Sequence, residues 1–290
     1  MYPDIQALKP ERRFKITRVG VKNVVKPIFV KRGDRTITLV TTIDIFVDLP
    51  PSKKGSDMSR NIEVISEIVE ESISRPCTGI ENLASRIVRK VKERHEYARY
   101  AEVHLKADYF LERKTPLGRK TVERYKLLGS ARMDENGVKK MVGVEVVGMT
   151  ACPCAMETVR AILRERFDDE IIEKIPVPTH NQRNIATVMI EVPEGYDVEA
   201  NDLVDIIEES MSTPTYEILK RRDEGEVVMK AHENPKFVED VVREILHRIL
   251  EKYSYLPDDV IVVVRSESEE SIHKHNAFAE RVTTLGELRE

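Results

Sequence analysis

Cysteine and tryptophan are scarce in this sequence: its 290 residues include three cysteines and no tryptophan. Three cysteines cannot make the disulfide framework of a secreted domain, so we expect reduced thiols that are available for metal binding or catalysis. Long apolar runs are missing too, because none approaches the ~18 residues of a membrane span. The first residues also lack the charged and apolar regions of a signal peptide. We therefore expect a cytoplasmic protein with no membrane partner.

An excess of positive charge is also absent. The sequence has 47 lysines and arginines against 51 aspartates and glutamates, a net charge of −4. Such a balance gives no general attraction for nucleic acid, so we expect no nucleic-acid partner, and an anionic ligand must be held by a local group of cations. The 41% of hydrophobic residues is enough for one large domain or two of ordinary size.

The order of apolar patterns in the first half predicts strand, strand, helix, helix, strand, strand. These elements are strands 14–24 and 36–47 with a turn at 31–34, a helix capped by Ser59 with Ile62, Ile65 and Val69 on its apolar face, a helix between Gly79 and His95, and strands 97–111 and 121–133.

The second half repeats this order. It has strands 144–150 and 185–192 around a helix at 156–167, helices at 203–211 and 237–253, a strand at 260–264 and a terminal segment at 272–282. A duplicated unit of this kind forms an α+β fold, with helices on one face of an antiparallel sheet. We predict two modules, residues 1–140 and 141–290, and expect the second to carry most of the site residues.

Two of the cysteines flank a proline directly after a predicted strand, as Cys152-Pro153-Cys154. The proline stiffens the turn, so both thiols can face one cavity. No second cysteine pair exists, which excludes a closed site with four cysteine ligands. We interpret one thiolate as a metal ligand and the other as a reactive or proton-handling group; two small residues in a turn are the alternative. The remaining Cys77 is interpreted as a buried small residue.

Three histidines are candidates to share a transition-metal site with these thiols. His180 lies before a predicted strand, in a polar loop where a single histidine is more often solvated. His273 and His275 are two residues apart, so in an extended segment they point to the same side and can approach one metal. We interpret the other histidines as structural: His95, His104, His232 and His247.

Two glutamates need separate interpretations. Glu239 falls on the predicted helix 237–253 at the edge of its apolar face, where a solvated residue is not expected. Glu224 lies in the charged run 220–225, which is typical of a solvated turn.

Five motifs, spread in order over the whole chain, resemble those of the type IB GTP cyclohydrolases, and especially the archaeal branch that begins methanopterin synthesis. They are Lys54-Gly55-x-x-Met58-Ser59-Arg60, Cys152-Pro153-Cys154, His180-Asn181-Gln182-Arg183, Asn234-Pro235-x-Phe237-Val238-Glu239-Asp240 and Glu270-Ser271-Ile272-His273-x-His275-Asn276-Ala277.

This resemblance implies two tandem tunneling-fold (T-fold) modules per chain and a homotetramer with active sites at subunit interfaces. It implies a divalent metal, Fe²⁺, with Zn²⁺ or Mn²⁺ as alternatives. It also implies that Glu239 anchors the purine of GTP. Carried over position by position, metal binding falls on four residues: Cys152, His180, His275 and Glu224.

The implied reaction opens the imidazole ring of guanine and releases formate. A metal can supply hydroxide near neutral pH, and a proton must reach the ring nitrogen as the C8–N9 bond breaks. The proton-transfer candidates are Cys154 and one of the two terminal histidines, with His273 preferred. The division of roles between Cys152 and Cys154 is open. A carboxylate can accept both guanine donors, as Glu239 is suited to do. The available cations for the triphosphate are Lys53, Lys54, Arg60 and Arg183.

One departure from the bacterial pattern concerns the product. Ala155 replaces a serine, and the segment 156–179 is longer, which favours 7,8-dihydroneopterin 2′,3′-cyclic phosphate over the bacterial 7,8-dihydroneopterin triphosphate. Two alternatives are a pterin- or deazapurine-binding T-fold enzyme with a covalent cysteine, and a non-catalytic metal-binding module. A covalent nucleophile needs no ligand set of two cysteines and three histidines, which argues against the first of these.

Overall fold

The computed structural model describes residues 4–32 and 35–290. Its chain forms two compact units. Unit 1 comprises the chain up to Tyr109 with Lys126–Val142 and Glu191–Asp197; unit 2 comprises Phe110–Tyr125, Gly143–Ile190 and Val198–Glu290. Antiparallel strands with helices on one face confirm the predicted α+β class, whereas the module boundary between residues 140 and 141 stays a prediction. Among the described residues, no helix is long and apolar enough to cross a membrane.

The strands and helices follow one another along the chain in this order: β1 (Ile16–Arg32), β2 (Arg35–Leu49), α1 (Met58–Ser74), α2 (Ile80–Arg94), β3 (Ala101–Lys114), β4 (Lys120–Asp134), β5 (Gly137–Ala151), α3 (Pro153–Arg164), α4 (Asp169–Ile172), β6 (Asn181–Glu191), α5 (Ala200–Ser210), β7 (Thr213–Pro214), α6 (Arg221–Glu233), α7 (Val238–Lys252), β8 (Ile261–Ser268), β9 (Ala277–Thr284) and α8 (Leu285–Arg289).

In unit 1, β1, β2 and β3 pair antiparallel in sequence order. Helix α1 packs against β1 and α2. The core between sheet and helices contains Ile43 of β2, Ile65 and Ile68 of α1, and Ile87 and Val91 of α2, all fully buried. Each such aliphatic side chain contributes ~1.5 to 3 kcal/mol relative to exposure.

The start of α1 differs from the prediction. The helix begins at Met58 with Asp57 as its N-cap, so Ser59 lies inside the first turn. The buried stripe includes Val64 and Ile68, whereas Ile62 is 39% exposed. Each residue advances about 100° around a helix, so a small error in register is enough to misplace a face. Of the predicted turn at 31–34, residues 33 and 34 lie outside the described part of the chain.

In unit 2 the strand order is β5-β6-β8-β9, with β7 paired to β5. Strands β6 and β8 are antiparallel with Asn184 opposite Ser268. This register places the start of β6 beside the end of β8. Helix α7 packs on β8, β9 and α5, and buries Ile245 and Ile249. The segment after Cys152 has a small core of its own, formed by Met156, Ile172 and Val177.

Two stretches of unit 2 differ from the expectation. The charged run 220–225 is not a turn but the start of α6, a helix whose buried residues are only Asp223, Val227 and Ala231, too few to produce an apolar period. The terminal strand begins at Ala277 rather than at 272, so His273 and His275 lie in a bend between β8 and β9.

Candidate functional site

Cys152 lies where strand β5 ends and helix α3 begins. It is the N-cap of α3, with Pro153 at the first helical position, and its Sγ accepts a hydrogen bond from the Ala155 backbone N–H at 3.4 Å. Proline suits this position because its missing N–H would have no helical partner. Cys152 is half-buried and Cys154 is exposed in the first turn.

His180 is held beside Cys152 through the backbone. The Cys152 N–H donates to the His180 carbonyl at 3.0 Å, and the Thr179 hydroxyl donates to the Cys152 carbonyl at 2.8 Å. His232, interpreted from sequence as structural, places Nε2 3.2 Å from the Thr179 carbonyl and so supports the same loop. The structure therefore brings together the two predicted ligands that are 28 residues apart in sequence.

The Nδ1 atom of His180 faces two oxygen atoms. It lies 3.0 Å from Gln182 Oε1 and 3.5 Å from Glu270 Oε2. Gln182 Nε2 in turn donates to Glu270 Oε1 at 3.3 Å, which orients the amide so that its oxygen faces the ring. The proton of a neutral His180 is therefore placed on Nδ1, and Nε2 is left for a ligand. A carboxylate behind a histidine is the usual support of a metal-binding imidazole.

Sequence reasoning assigned no role to Glu270. It lies two residues beyond Ser268 in the β6–β8 register, as Gln182 lies two residues before Asn184, so the two side chains meet. Buried polar groups continue beneath them: Gln182 donates to Thr150 Oγ1 at 3.4 Å, and Asn184 Nδ2 donates to Ser268 Oγ at 2.9 Å. These satisfied hydrogen bonds fix the strand ends that carry the site. The available signal was the position of Glu270 within a recognised motif.

The terminal histidines lie next to His180. The His180 and His273 rings meet edge to face with centroids 6.0 Å apart, and the His273 and His275 rings stack at 5.2 Å with 15° between their planes. The expectation that His273 and His275 point to the same side is confirmed, although the bend, and not a strand, brings this about. Both residues are exposed.

Thiol, imidazole and carboxylate groups in this arrangement suit a divalent transition metal by donor type. Within residues 4–32 and 35–290, no group of three or more His, Cys, Asp or Glu side chains is already close enough to hold an ion. The single chain thus provides the donors, with His180 oriented for binding, without a closed ligand cluster.

Glu224 and Glu239 lie near the starts of helices α6 and α7. Glu224 is exposed on α6, and Glu239 is exposed in the first turn of α7. The expectation of a shielded Glu239 is therefore wrong for the single chain. The start of α7 is nevertheless tied to the Cys152 region, because the Lys236 N–H donates to the Ala151 carbonyl at 3.0 Å.

Arg183 points away from Gln182, since neighbouring residues of a strand face opposite sides. It lines a cavity of about 480 Å³ in unit 2 together with Arg124 and Tyr216. The two guanidinium groups form no ion pair within the described chain.

Lys53 and the cations of the first motif are in unit 1. Lys53 Nζ donates to Asp57 at 2.7 Å, and Arg60 lies 3.5 Å from the same carboxylate while donating to the Arg94 carbonyl at 2.7 Å. Burial raises the pKa of Asp57, but the hydrogen bond and charge of Lys53 outweigh it and hold this pKa below its ordinary value. Helix α1 follows directly, with no acidic residue in its first turn. Cations beside a helix N-terminus suit an anionic ligand.

The fold is that of a T-fold protein, with thiol and imidazole groups collected at the end of one antiparallel sheet. Residues 2–279 match the type I GTP cyclohydrolase folE2 family. The chain belongs to that family.

Proteins named GTP cyclohydrolase MptA are similar over nearly the full length of both chains. The protein from Methanococcus aeolicus is 46% identical, with 100% of this chain and 99% of that protein covered. The one from Methanothermobacter thermautotrophicus is 47% identical, with 99% and 95% covered. The Methanocaldococcus jannaschii protein is 46% identical, with 99% and 96% covered.

A solved structure of a hyper-thermostable uricase variant is similar in fold, with a TM-score of 0.52, 6% sequence identity, and 93% of this chain and 92% of that chain covered. This likeness concerns the fold alone.

Proposed function

We propose that the protein is a GTP cyclohydrolase of the archaeal type IB branch. It opens the imidazole ring of GTP, releases formate and diphosphate, and forms 7,8-dihydroneopterin 2′,3′-cyclic phosphate as the first step of methanopterin synthesis. Family membership supports the reaction class. The observation that carries the proposal is His180, held beside Cys152 by the backbone and oriented by Glu270, with Nε2 open to a ligand.

The metal of this proposal is Fe²⁺, with Zn²⁺ or Mn²⁺ as alternatives. Cys152, His180 and His275 would hold it, and exposed Glu224 would complete the ligand set in the assembled oligomer. When bound, the metal lowers the pKa of a water molecule and supplies hydroxide near neutral pH. Glu270 keeps the proton of His180 on Nδ1, so the ring presents Nε2 without a further tautomer change.

Proton transfer is assigned to Cys154 and His273. Cys154 is exposed in the first turn of α3, and His273 lies in ring contact with His180. A thiol and an imidazole can each exchange a proton near neutral pH. One of them delivers a proton to the ring nitrogen as the C8–N9 bond of the substrate breaks.

Substrate binding is assigned to one carboxylate and three cations. Glu239 accepts the N1–H and exocyclic N–H of guanine, and Arg60, Lys54 and Arg183 bind the phosphates. Glu239 is exposed in the single chain, and the Arg60 side chain keeps 43% of its surface exposed. This fits active sites that form at interfaces between copies of a homotetramer, where such groups lose their water.

The phosphate form of the product is a separate part of the proposal. Ala155 and the long segment 156–179, which folds as α3, α4 and a small core, favour the cyclic phosphate. The bacterial alternative is the linear triphosphate. Mass spectrometry of the pterin product separates these two outcomes.

The test is anaerobic incubation of the purified protein with GTP and Fe²⁺, followed by assays for formate and for the pterin chromophore. The proposal expects both products in equal amounts. A covalent thiol adduct without formate would instead indicate another purine- or pterin-binding T-fold enzyme. Metal binding with neither product would indicate a non-catalytic module. Repeating the incubation with Zn²⁺ and Mn²⁺ identifies the active metal.

A further inference from the structure

Unit 1 contains a buried histidine that the proposed chemistry does not use. His95 is the C-cap of α2 and has no exposed surface. Its Nε2 lies 2.9 Å from Asn61 Oδ1, and its Nδ1 lies 2.9 Å from the Tyr97 hydroxyl. The Tyr97 hydroxyl is in turn 2.8 Å from Ser56 Oγ. Four side chains therefore form one hydrogen-bonded chain, which we call the His95 relay: Asn61, His95, Tyr97 and Ser56.

The direction of each hydrogen bond in the His95 relay follows from the amide oxygen at its end. Asn61 Oδ1 can only accept, so Nε2 of His95 carries the proton and Nδ1 accepts from the Tyr97 hydroxyl. The Tyr97 oxygen then accepts from Ser56. Burial, reinforced by the charge of Arg60, lowers the pKa of His95 to about 4. The ring is therefore neutral at neutral pH.

The relay ends in the segment that carries the first motif. Ser56 belongs to residues 53–60, and the Tyr97 ring also lies under the Lys53 ammonium group, 4.0 Å from its centroid. Lys53 and Arg60 both contact Asp57. Thus one aromatic ring fixes a hydroxyl and a cation of the same segment.

The other side of the segment is held by the chain near the N-terminus. The backbone N–H groups of Lys54 and Gly55 donate to the carbonyls of Leu8 at 2.9 Å and Gln6 at 3.2 Å. Gln6 Nε2 also donates to the Ser56 carbonyl at 3.0 Å. These contacts fix the backbone, but the side chain of Ser56 is fixed by the His95 relay.

We propose that His95 is a positioning residue, which acts through Tyr97 and Ser56 to hold residues 53–60 in the conformation that binds the phosphates of the substrate. This inference rests on the proposed function, in which Lys54 and Arg60 contact the triphosphate. His95 itself touches no substrate. A positioned set of donors binds an anion better than a mobile set, because less ordering is needed on binding.

The test is Tyr97→Phe, which keeps the ring beneath Lys53 and removes the hydroxyl that joins His95 to Ser56. The matched control is Tyr100→Phe, because Tyr100 is also half-buried in unit 1 but donates to Glu102 at 3.0 Å. Binding of GTP and of guanosine, which lacks phosphates, is measured for both variants. We expect Tyr97→Phe to weaken GTP binding roughly tenfold and to leave guanosine binding within about twofold. Tyr100→Phe should change neither.

A merely structural role for the relay gives a different result. It would lower the melting temperature of Tyr97→Phe while leaving the ratio of GTP to guanosine affinity as in the unmodified protein, and this outcome overturns the inference. His95→Gln and His95→Leu offer a second measurement, because the amide of Gln keeps a donor and an acceptor whereas Leu has neither. Tighter GTP binding by His95→Gln than by His95→Leu supports the relay. An equal loss of GTP affinity in both variants contradicts it.

Failure of the proposed function is distinguishable from failure of this inference. If Arg60→Ala weakens GTP binding but Tyr97→Phe does not, the segment binds phosphate and the relay does not position it. If the unmodified protein neither binds nor converts GTP, the proposed function fails, and the inference fails with it.

Discussion

Two buried or nearly buried histidines, one in each unit, have opposite environments. His180 in unit 2 has one ring nitrogen facing Glu270 and Gln182, and its side chain keeps 10% of its surface exposed. His95 in unit 1 has both nitrogens filled by the neutral groups of Asn61 and Tyr97 and is fully buried. A histidine with a carboxylate on one side and an open nitrogen on the other is prepared for a ligand. A histidine with both nitrogens satisfied can only hold its neighbours.

The largest effect on activity is expected when His180 or the neighbouring Cys152 is replaced. Under the proposed function each substitution removes one metal ligand, so Cys152→Ala and His180→Ala are each expected to lose bound metal and at least ~100-fold in turnover. Metal content after dialysis and formate release measure both. His247→Ala is the control, since that histidine is exposed on α7. Full metal content together with full turnover in either variant would remove that residue from the site.

The His95 side should appear in the dependence of stability on pH. Its pKa falls from 6.5 to about 4 on folding, so the unfolded chain binds the proton more tightly. Stability from the neutral ring is therefore complete above about pH 6.5 and is lost as the pH falls towards 4. The loss is on the order of 2 to 3 kcal/mol. Urea unfolding at pH 7 and pH 4.5 measures the free energy of unfolding of the unmodified protein and of His95→Gln. Between the two pH values the variant should lose less of this free energy than the unmodified protein. An equal loss in both proteins would contradict the expectation.

Glu270 sharpens the comparison, because its removal should make His180 resemble an unsupported histidine. Glu270→Gln keeps the shape but lets an amide N–H face Nδ1, which disfavours the required tautomer. We expect metal affinity and turnover to fall ~10- to 100-fold. Exposed Glu269, the neighbouring residue, supplies the control Glu269→Gln. A metal titration decides the matter, and unchanged affinity in Glu270→Gln would assign the carboxylate to the fold alone.

Local sequence patterns predict the parts of this molecule that depend on neighbouring residues in the chain. Strand β2 and helix α2 lie close to the ranges that alternation and helical periodicity predict, whereas β1 continues to Arg32, eight residues beyond the predicted end at residue 24. The proximity of Cys152 and His180 could be predicted from the sequence because cysteine and histidine are distinctive ligand types.

Contacts set by distant strands could not be predicted in the same way. Glu270 reaches His180 only through the β6–β8 register, which depends on tertiary packing. Helix α6 has too few buried residues to show a period, and its charged start resembles a solvated turn. The relay from His95 to Ser56 joins residues 39 positions apart, of types that are common in any polar loop.

The smallest expected effect concerns Glu239, which the proposed function assigns to binding of the guanine base. Glu239→Gln presents an amide that can satisfy one guanine donor and opposes the other with its own N–H. Charge-assisted hydrogen bonds contribute ~1.5 to 3 kcal/mol each, so GTP binding should weaken at least ~10-fold with metal content unchanged. ATP, with an amino donor and a bare ring nitrogen on that edge, should bind poorly to the unmodified protein.

Glu251→Gln, near the opposite end of the same helix, controls for loss of charge. Because Glu239 is exposed in the single chain, the loss should also require the assembled oligomer; equal GTP affinity in the assembled Gln variant, or loss of its metal, would show that Glu239 does not anchor the purine.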